Sequence, residues 1–284
     1  MKSIDSVPPD SLAPAREYLA HSYKIDEFPN LPLADEPFVH EWEIWLENPE
    51  ESPSDVEDIL SGLSGEATSS WLEKTPAGRV PVLCFKSRAS FERARNVLYP
   101  GGSDIPANVN AFTIKAKHPA LFGHRVILLN RAGYSALSGK ELGMEEEAWL
   151  EKSMTLRLNH EICHYFSLRV LGSMRNHVLD EIAADCVGQL AAFGTFKASL
   201  QKLFFGISKM SQEDGEILPG GRFFFYVKKL RGASVDVVLE ETEAALWSLE
   251  SYLSRNPDMT LEPNRPRLVT NLLTAGISGI RGVK

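Results

Sequence analysis

The sequence predicts an α+β fold. Short β-type apolar runs gather before residue 130, with Arg222 to Val227 the one later run open to either reading, whereas helical periodicity fills most of the chain beyond it. The chain's strongest chemical motif, Asn159-His160-Glu161-Ile162-Cys163-His164, falls inside one of the helical stretches. Runs of strands followed by runs of helices are the pattern of segregated rather than alternating layers.

Taken in order, the first 35 residues are Pro-rich, with a short helix expected near Pro14 to His21. Glu41 to Leu46 places Trp42 and Trp45 on one side of a helix, and Ser54 to Leu63 has the mixture of a second short one. Gly65 to Ser70 is small and polar and reads as loop, Arg79 to Phe85 as a strand, and Ser90 to Leu98 as a helix stopping before Pro100-Gly101-Gly102. That break, continued through Pro106 and Asn110, divides a mixed α/β region, 1–105, from a motif-bearing domain, 106–284. Ala111 to Lys115 and Arg125 to Leu129 read as strands, and the motif helix runs from Met144 or Glu145 to Val170, with Leu171-Gly172-Ser173 as its stop. Asn176 is the expected cap of a second helix reaching about Phe193, with Asp180 and Glu181 at its favourable positive end. Thr195 to Phe205 reads as helix, the aromatic run Arg222 to Val227 as a buried strand or buried helix segment, and Val235 to Leu253 as a long amphipathic helix.

Composition narrows the function classes. Thirty Lys and Arg against 38 Asp and Glu give a net charge of -8, so there is no general attraction to nucleic acid. The N-terminus lacks the apolar core of a secretory signal and no later run is apolar enough to cross a bilayer, so a soluble, cytoplasmic protein with no membrane partner is expected. Three scattered cysteines and no CxxC pair argue for a reducing compartment and against a thiolate zinc site. No glycine-rich phosphate loop of Walker type and no Gly-x-Ser-x-Gly elbow occurs.

On a helix, His160 and His164 lie one turn apart on the same side, where both rings can reach one zinc ion. Glu161 is rotated about the axis, beside the open coordination position rather than in competition for it. A catalytic site also needs a third protein ligand. Glu181, on a helix running back after the Gly172 break, supplies a carboxylate, and Asp185 stands one turn further on, able to accept a hydrogen bond from a ligating imidazole. His177 and Asp180 are the other donors in range, but only Glu181 also gives Asp185 a role.

His160-Glu161-Ile162-Cys163-His164 followed by Glu181-Ile182-Ala183-Ala184-Asp185 resembles the signature of the gluzincin metallopeptidases, the thermolysin-like group with HExxH and then ExxxD. The resemblance implies a zincin-like core with a small twisted sheet packed on the motif helix. It implies zinc bound by His160, His164 and Glu181, with Glu161 as general base and Asp185 behind the ligands. It implies too an edge strand that holds peptide substrates, for which Arg125 to Leu129 is the best segment, as edge or as neighbour. Asp180 departs from the Asn many of these enzymes carry before the ligand Glu. The metzincin alternative fails, because Ser167 and Val170 stand where Gly and His are required. For the oxyanion donor, Tyr226 is the first choice, His177 the second and Tyr134 the third. Cys163 is offset sideways from the His pair and reads as a packed thiol. The expected function is zinc-dependent peptide hydrolysis, with an inactive zincin-fold binding or regulatory module as the alternative.

Overall fold

The computed structural model describes residues 12–51, 53, 67–102, 105–207 and 222–282. The helix expected at Ser54 to Leu63 lies outside the described residues. The described elements are helices α1 (Ala13–Leu19) and α2 (Val39–Glu47), strands β1 (Ala67–Thr75) and β2 (Gly78–Phe85), helix α3 (Arg88–Leu98), and strands β3 (Ala111–Lys115) and β4 (Arg125–Asn130). Helices then follow with no further strand among the described residues: α4 (Glu146–Val170), α5 (Val178–Phe193), α6 (Ala198–Phe205), α7 (Phe223–Val227), α8 (Ala233–Arg255) and α9 (Arg265–Gly282), the last two joined through 3-10 turns at Pro257–Thr260 and Glu262–Asn264. This is an α+β architecture, a small mixed sheet followed by a mostly helical C-terminal half. Among the described residues no helix is long and apolar enough to cross a membrane.

The chain divides into two compact units. One runs Phe28–Val170, and the other takes the chain up to Glu27 together with that from Leu171 onward.

In the Phe28–Val170 unit the sheet order is β1-β2-β4-β3, with β2 and β4 parallel and the other neighbours antiparallel. β1 overturns the loop expected at Gly65 to Ser70 from Ala67 onward, the first two positions lying outside the described residues. Serines read as loop in isolation, but a tight turn at Pro76-Ala77 folds the segment back on β2, with Trp71 opposite Val82. Thr75 locks that turn, its hydroxyl donating to the Gly78 carbonyl and accepting from the Ala77 N–H. Gly78 there has φ 92, which a side chain would strain. The core gathers Trp42, Phe85, Phe91, Leu98 and Leu128, and α3 begins on a Ser87 cap that accepts from the Ser90 N–H. β4 is interior and β3 is the edge, so the Arg125 to Leu129 segment is the neighbour of the edge strand. α4 packs on β3 and β4, which brings the motif helix against that edge.

In the other unit, α8 and α9 pack on each other, α9 on α5, and α1 on α8. The cap of α5 is His177 rather than Asn176, its Nδ1 accepting the Leu179 N–H at 3.1 Å. The aromatic run resolves as the helical turn α7. Sequence periodicity gave no warning of α9, whose apolar side (Leu268, Leu272, Leu273, Ile277, Ile280) is diluted by three glycines. At Gly276, with φ 69, an added Cβ would stand 2.9 Å from the His21 carbonyl oxygen, so the kink there needs glycine.

Candidate metal centre

α4 carries His160 and His164 on one buried side, each less than 8% exposed. Their Nε2 atoms face each other at 2.9 Å with the rings perpendicular. The Nδ1 of His160 is 2.9 Å from the Tyr134 hydroxyl. That contact engages Nδ1 and orients the ring so that Nε2 is directed at its partner.

Tyr134 is held by a loop made for the purpose. Arg157, a turn before the motif, donates to the carbonyls of Asn130, Ala132 and Gly133 at 3.0–3.3 Å. The Tyr134 N–H donates to the Ser153 hydroxyl, again on α4. Ser135 and Ala136 sit at φ 52 and 58, a left-handed conformation that non-glycine residues adopt only when their surroundings impose it.

Glu161 is buried, and its Oε2 lies 2.9 Å from the Thr113 hydroxyl, which is also 3.0 Å from the Glu161 carbonyl oxygen. Thr113 belongs to β3, so the sheet edge and the carboxylate share a hydrogen bond. Sequence reasoning missed Thr113; strand alternation separates its side from that of Phe112 and Ile114 but does not tell which side meets α4.

On α5, Glu181 and Asp185 are both buried, one turn apart. Asp185 accepts from the Arg222 guanidinium and from the Gln201 amide, and the same guanidinium is 4.0 Å from Glu181. A buried carboxylate without such a counter-charge would be costly. Tyr226, one turn beyond Arg222, hydrogen-bonds Glu181, and burial with the nearby Glu181 charge holds its phenol well above the usual range. Neither Arg222 nor Gln201 was singled out as a site residue in the sequence, although Arg222 opens the aromatic run that ends at Val227.

HExxH with His160, Glu161 and His164 buried, and ExxxD with Glu181 and Asp185 buried, is the zincin active-site pattern. Two imidazoles and a carboxylate are a donor set for a divalent metal.

His177 and Asp180 are drawn into a different cluster. The His177 ring stacks on Tyr18, and its Nε2 bonds the Tyr18 carbonyl oxygen at 3.1 Å. Burial pushes its pKa down to about 4, so the ring is neutral. Asp180 accepts from the Tyr23 hydroxyl at 2.5 Å. His21, His177 and Asp180 bring donor atoms within 4.8 Å of one another. Both His177 nitrogens are nevertheless engaged with backbone, and the Arg175 guanidinium stands 3.4 Å from the His21 Nδ1. A cation there would meet a cation and unseat a helix cap, so these residues tie α1 and α5 together.

Residues 103–266, more than half of the chain, match the model of a family described as Family of unknown function (DUF7005). No curated protein and no solved structure matches.

Proposed function

The chain belongs to the Family of unknown function (DUF7005), and from that premise we propose that it is a zinc-dependent peptidase with His160, His164 and Glu181 as the metal ligands. The observation that carries this is the His160–His164 pair, with two Nε2 atoms converging at 2.9 Å in a buried setting. Without an ion, only one hydrogen can lie between two such nitrogens. Tetrahedral zinc ligation wants them roughly 3.3 Å apart, which small ring rotations supply.

Bound zinc supplies Lewis acidity toward the scissile carbonyl and makes its water more acidic. The remaining steps belong to the chain. Glu161 takes a proton from the attacking water and passes it to the leaving nitrogen, its carboxylate held in place by the Thr113 hydroxyl. Tyr134 holds the Nδ1 side of His160, which argues against this tyrosine as the oxyanion donor. Tyr226 is our candidate for that role, because its hydroxyl lies beside the ligand Glu181, whereas both His177 nitrogens are engaged with backbone away from the motif histidines. We assign Asp185, paired with Arg222, to positioning behind the ligands. We assign the catalytic residues to the region 106–284, which the family match from residue 103 overlaps, with 1–105 as an N-terminal region that contributes β1 and β2 to the same sheet. We place the protein in the cytoplasm, since all three cysteines are buried thiols.

The test is metal analysis of purified variants beside a peptide-cleavage assay. His160→Ala and Glu181→Ala are expected to lose zinc, and Glu161→Gln to keep it while losing hydrolysis. Full zinc in the His160→Ala/Glu181→Ala double variant would remove the basis of the assignment. A zinc-loaded wild-type protein that cleaves no peptide would return the chain to the binding-module alternative.

A further inference from the structure

Glu181 stands at a weak place for a metal ligand. It rides on the first turn of α5, where its own N–H reaches the His177 carbonyl at 3.4 Å. The ends of a helix leave backbone N–H groups without intrahelical partners and open more readily than its middle. A carboxylate carried there keeps its place when something outside the helix holds that turn.

That hold comes from the N-terminal segment of the same compact unit. Tyr18 of α1 stacks on the capping His177, ring centroids 3.9 Å apart. Its hydroxyl accepts the Val178 N–H at 3.1 Å and donates to the Tyr226 carbonyl at 3.3 Å. It thereby joins the start of α5 to α7, whose Tyr226 side chain hydrogen-bonds Glu181. Tyr23, just beyond α1, makes a second bridge. Its hydroxyl accepts the Arg175 N–H at 2.9 Å and donates to Asp180 at 2.5 Å, spanning from the loop before α5 to the residue before Glu181. Burial first, with the Asp180 carboxylate adding to it, holds both phenols above their ordinary pKa, so each keeps the hydrogen it donates. The segment is itself anchored, since the Tyr23 N–H donates to the Leu273 carbonyl at 2.9 Å, close to the Gly276 kink of α9.

We propose that Tyr18 and Tyr23 are positioning residues of the metal centre, and that the N-terminal segment carrying them clamps the third ligand in place. The inference rests on Glu181 being that ligand. It extends the metal centre to residues that lie outside the family match at 103–266. Without the two hydroxyls, α5 keeps its His177 cap, but its first turn opens more often. Each opening takes the Glu181 carboxylate from the site, and apparent zinc affinity scales with the fraction of molecules in which the ligand is in place. A hydrogen bond of ordinary strength is worth about fivefold in an equilibrium, and each hydroxyl makes two.

The experiment measures zinc affinity by chelator competition, well below Tm, in the full chain and in its Tyr18→Phe/Tyr23→Phe variant, which keeps both rings. The variant is expected to bind zinc about tenfold more weakly. Leu253→Ala, a cavity-forming change in the buried side of α8, is the control for general loss of stability and is expected to stay within about twofold of wild type. Cobalt put in place of zinc is expected to show altered visible absorption in the tyrosine variant alone. An affinity within about twofold of wild type, an equal loss in Leu253→Ala, or a cobalt spectrum identical to wild type would overturn the proposal. Should the double variant fail to fold, Tyr18→Phe and Tyr23→Phe are measured singly, with about threefold weaker binding expected from each and no change overturning it. If the wild type takes up no zinc, the metal reading itself falls, and hydrogen exchange at the amides of Val178 to Glu181 then tests the clamp. Exchange about tenfold faster in the tyrosine variant upholds it; equal rates overturn it.

Discussion

Tyr134 and His177 are both aromatic residues near the motif, and both are candidate donors to the reaction by sequence, yet their surroundings divide their roles. Tyr134 meets the Nδ1 of His160 and so acts through a metal ligand. Tyr134→Phe is expected to weaken zinc binding by about tenfold, measured by chelator competition, while leaving the fold intact. His177 is a helix cap whose pKa is depressed to about 4 by burial first, and then by the nearby His21 and Arg175 charges. The folded state therefore resists a proton that the unfolded chain accepts near 6.5. This contribution to stability is complete above about pH 6.5 and is lost as pH falls toward about 4, by at most about 3 kcal/mol. Denaturant titrations across that window should show the loss, and His177→Asn, which retains an oxygen for capping, should flatten it.

Among the elements, α7 matters more than its five residues suggest, because Arg222 at its start answers the buried Asp185 of α5. Removing the guanidinium leaves a buried carboxylate without its counter-charge, so Arg222→Ala is expected to cost about 3–5 kcal/mol in urea unfolding. Pairing it with Asp185→Asn should recover part of that cost. The same scale shows what local patterns convey. α4 and α8 are long enough for helical periodicity to average out exceptions, and both lie within a few residues of expectation. β1 was hidden because serines carry little strand preference of their own, and pairing with β2 decides their conformation. α9 was hidden because its three glycines, of which Gly276 is required by the close approach to the His21 carbonyl, blur the apolar stripe.

For the whole molecule, a metal that binds only the folded state must raise stability by linkage. At a free zinc concentration about a thousandfold above Kd, the gain is about 4 kcal/mol. Chelation is expected to lower Tm by several degrees, with recovery on adding zinc back, and His160→Ala should be indifferent to both. A Tm unaffected by chelator in the wild type would contradict the proposed ligand set.

The spacing of HExxH and ExxxD was legible in the sequence because a helix converts a four-residue interval into one shared side, and that conversion needs no knowledge of the rest of the chain. The order of strands before helices, and the divalent-metal donor set, came from the same local rules. The partners that make these residues usable were decided only by the tertiary structure. Tyr134 reaches His160 across 26 residues, Arg222 reaches Asp185 across 37, and Thr113 reaches Glu161 across 48. No period links positions so far apart, so packing alone determines which hydroxyl or guanidinium arrives beside each buried group.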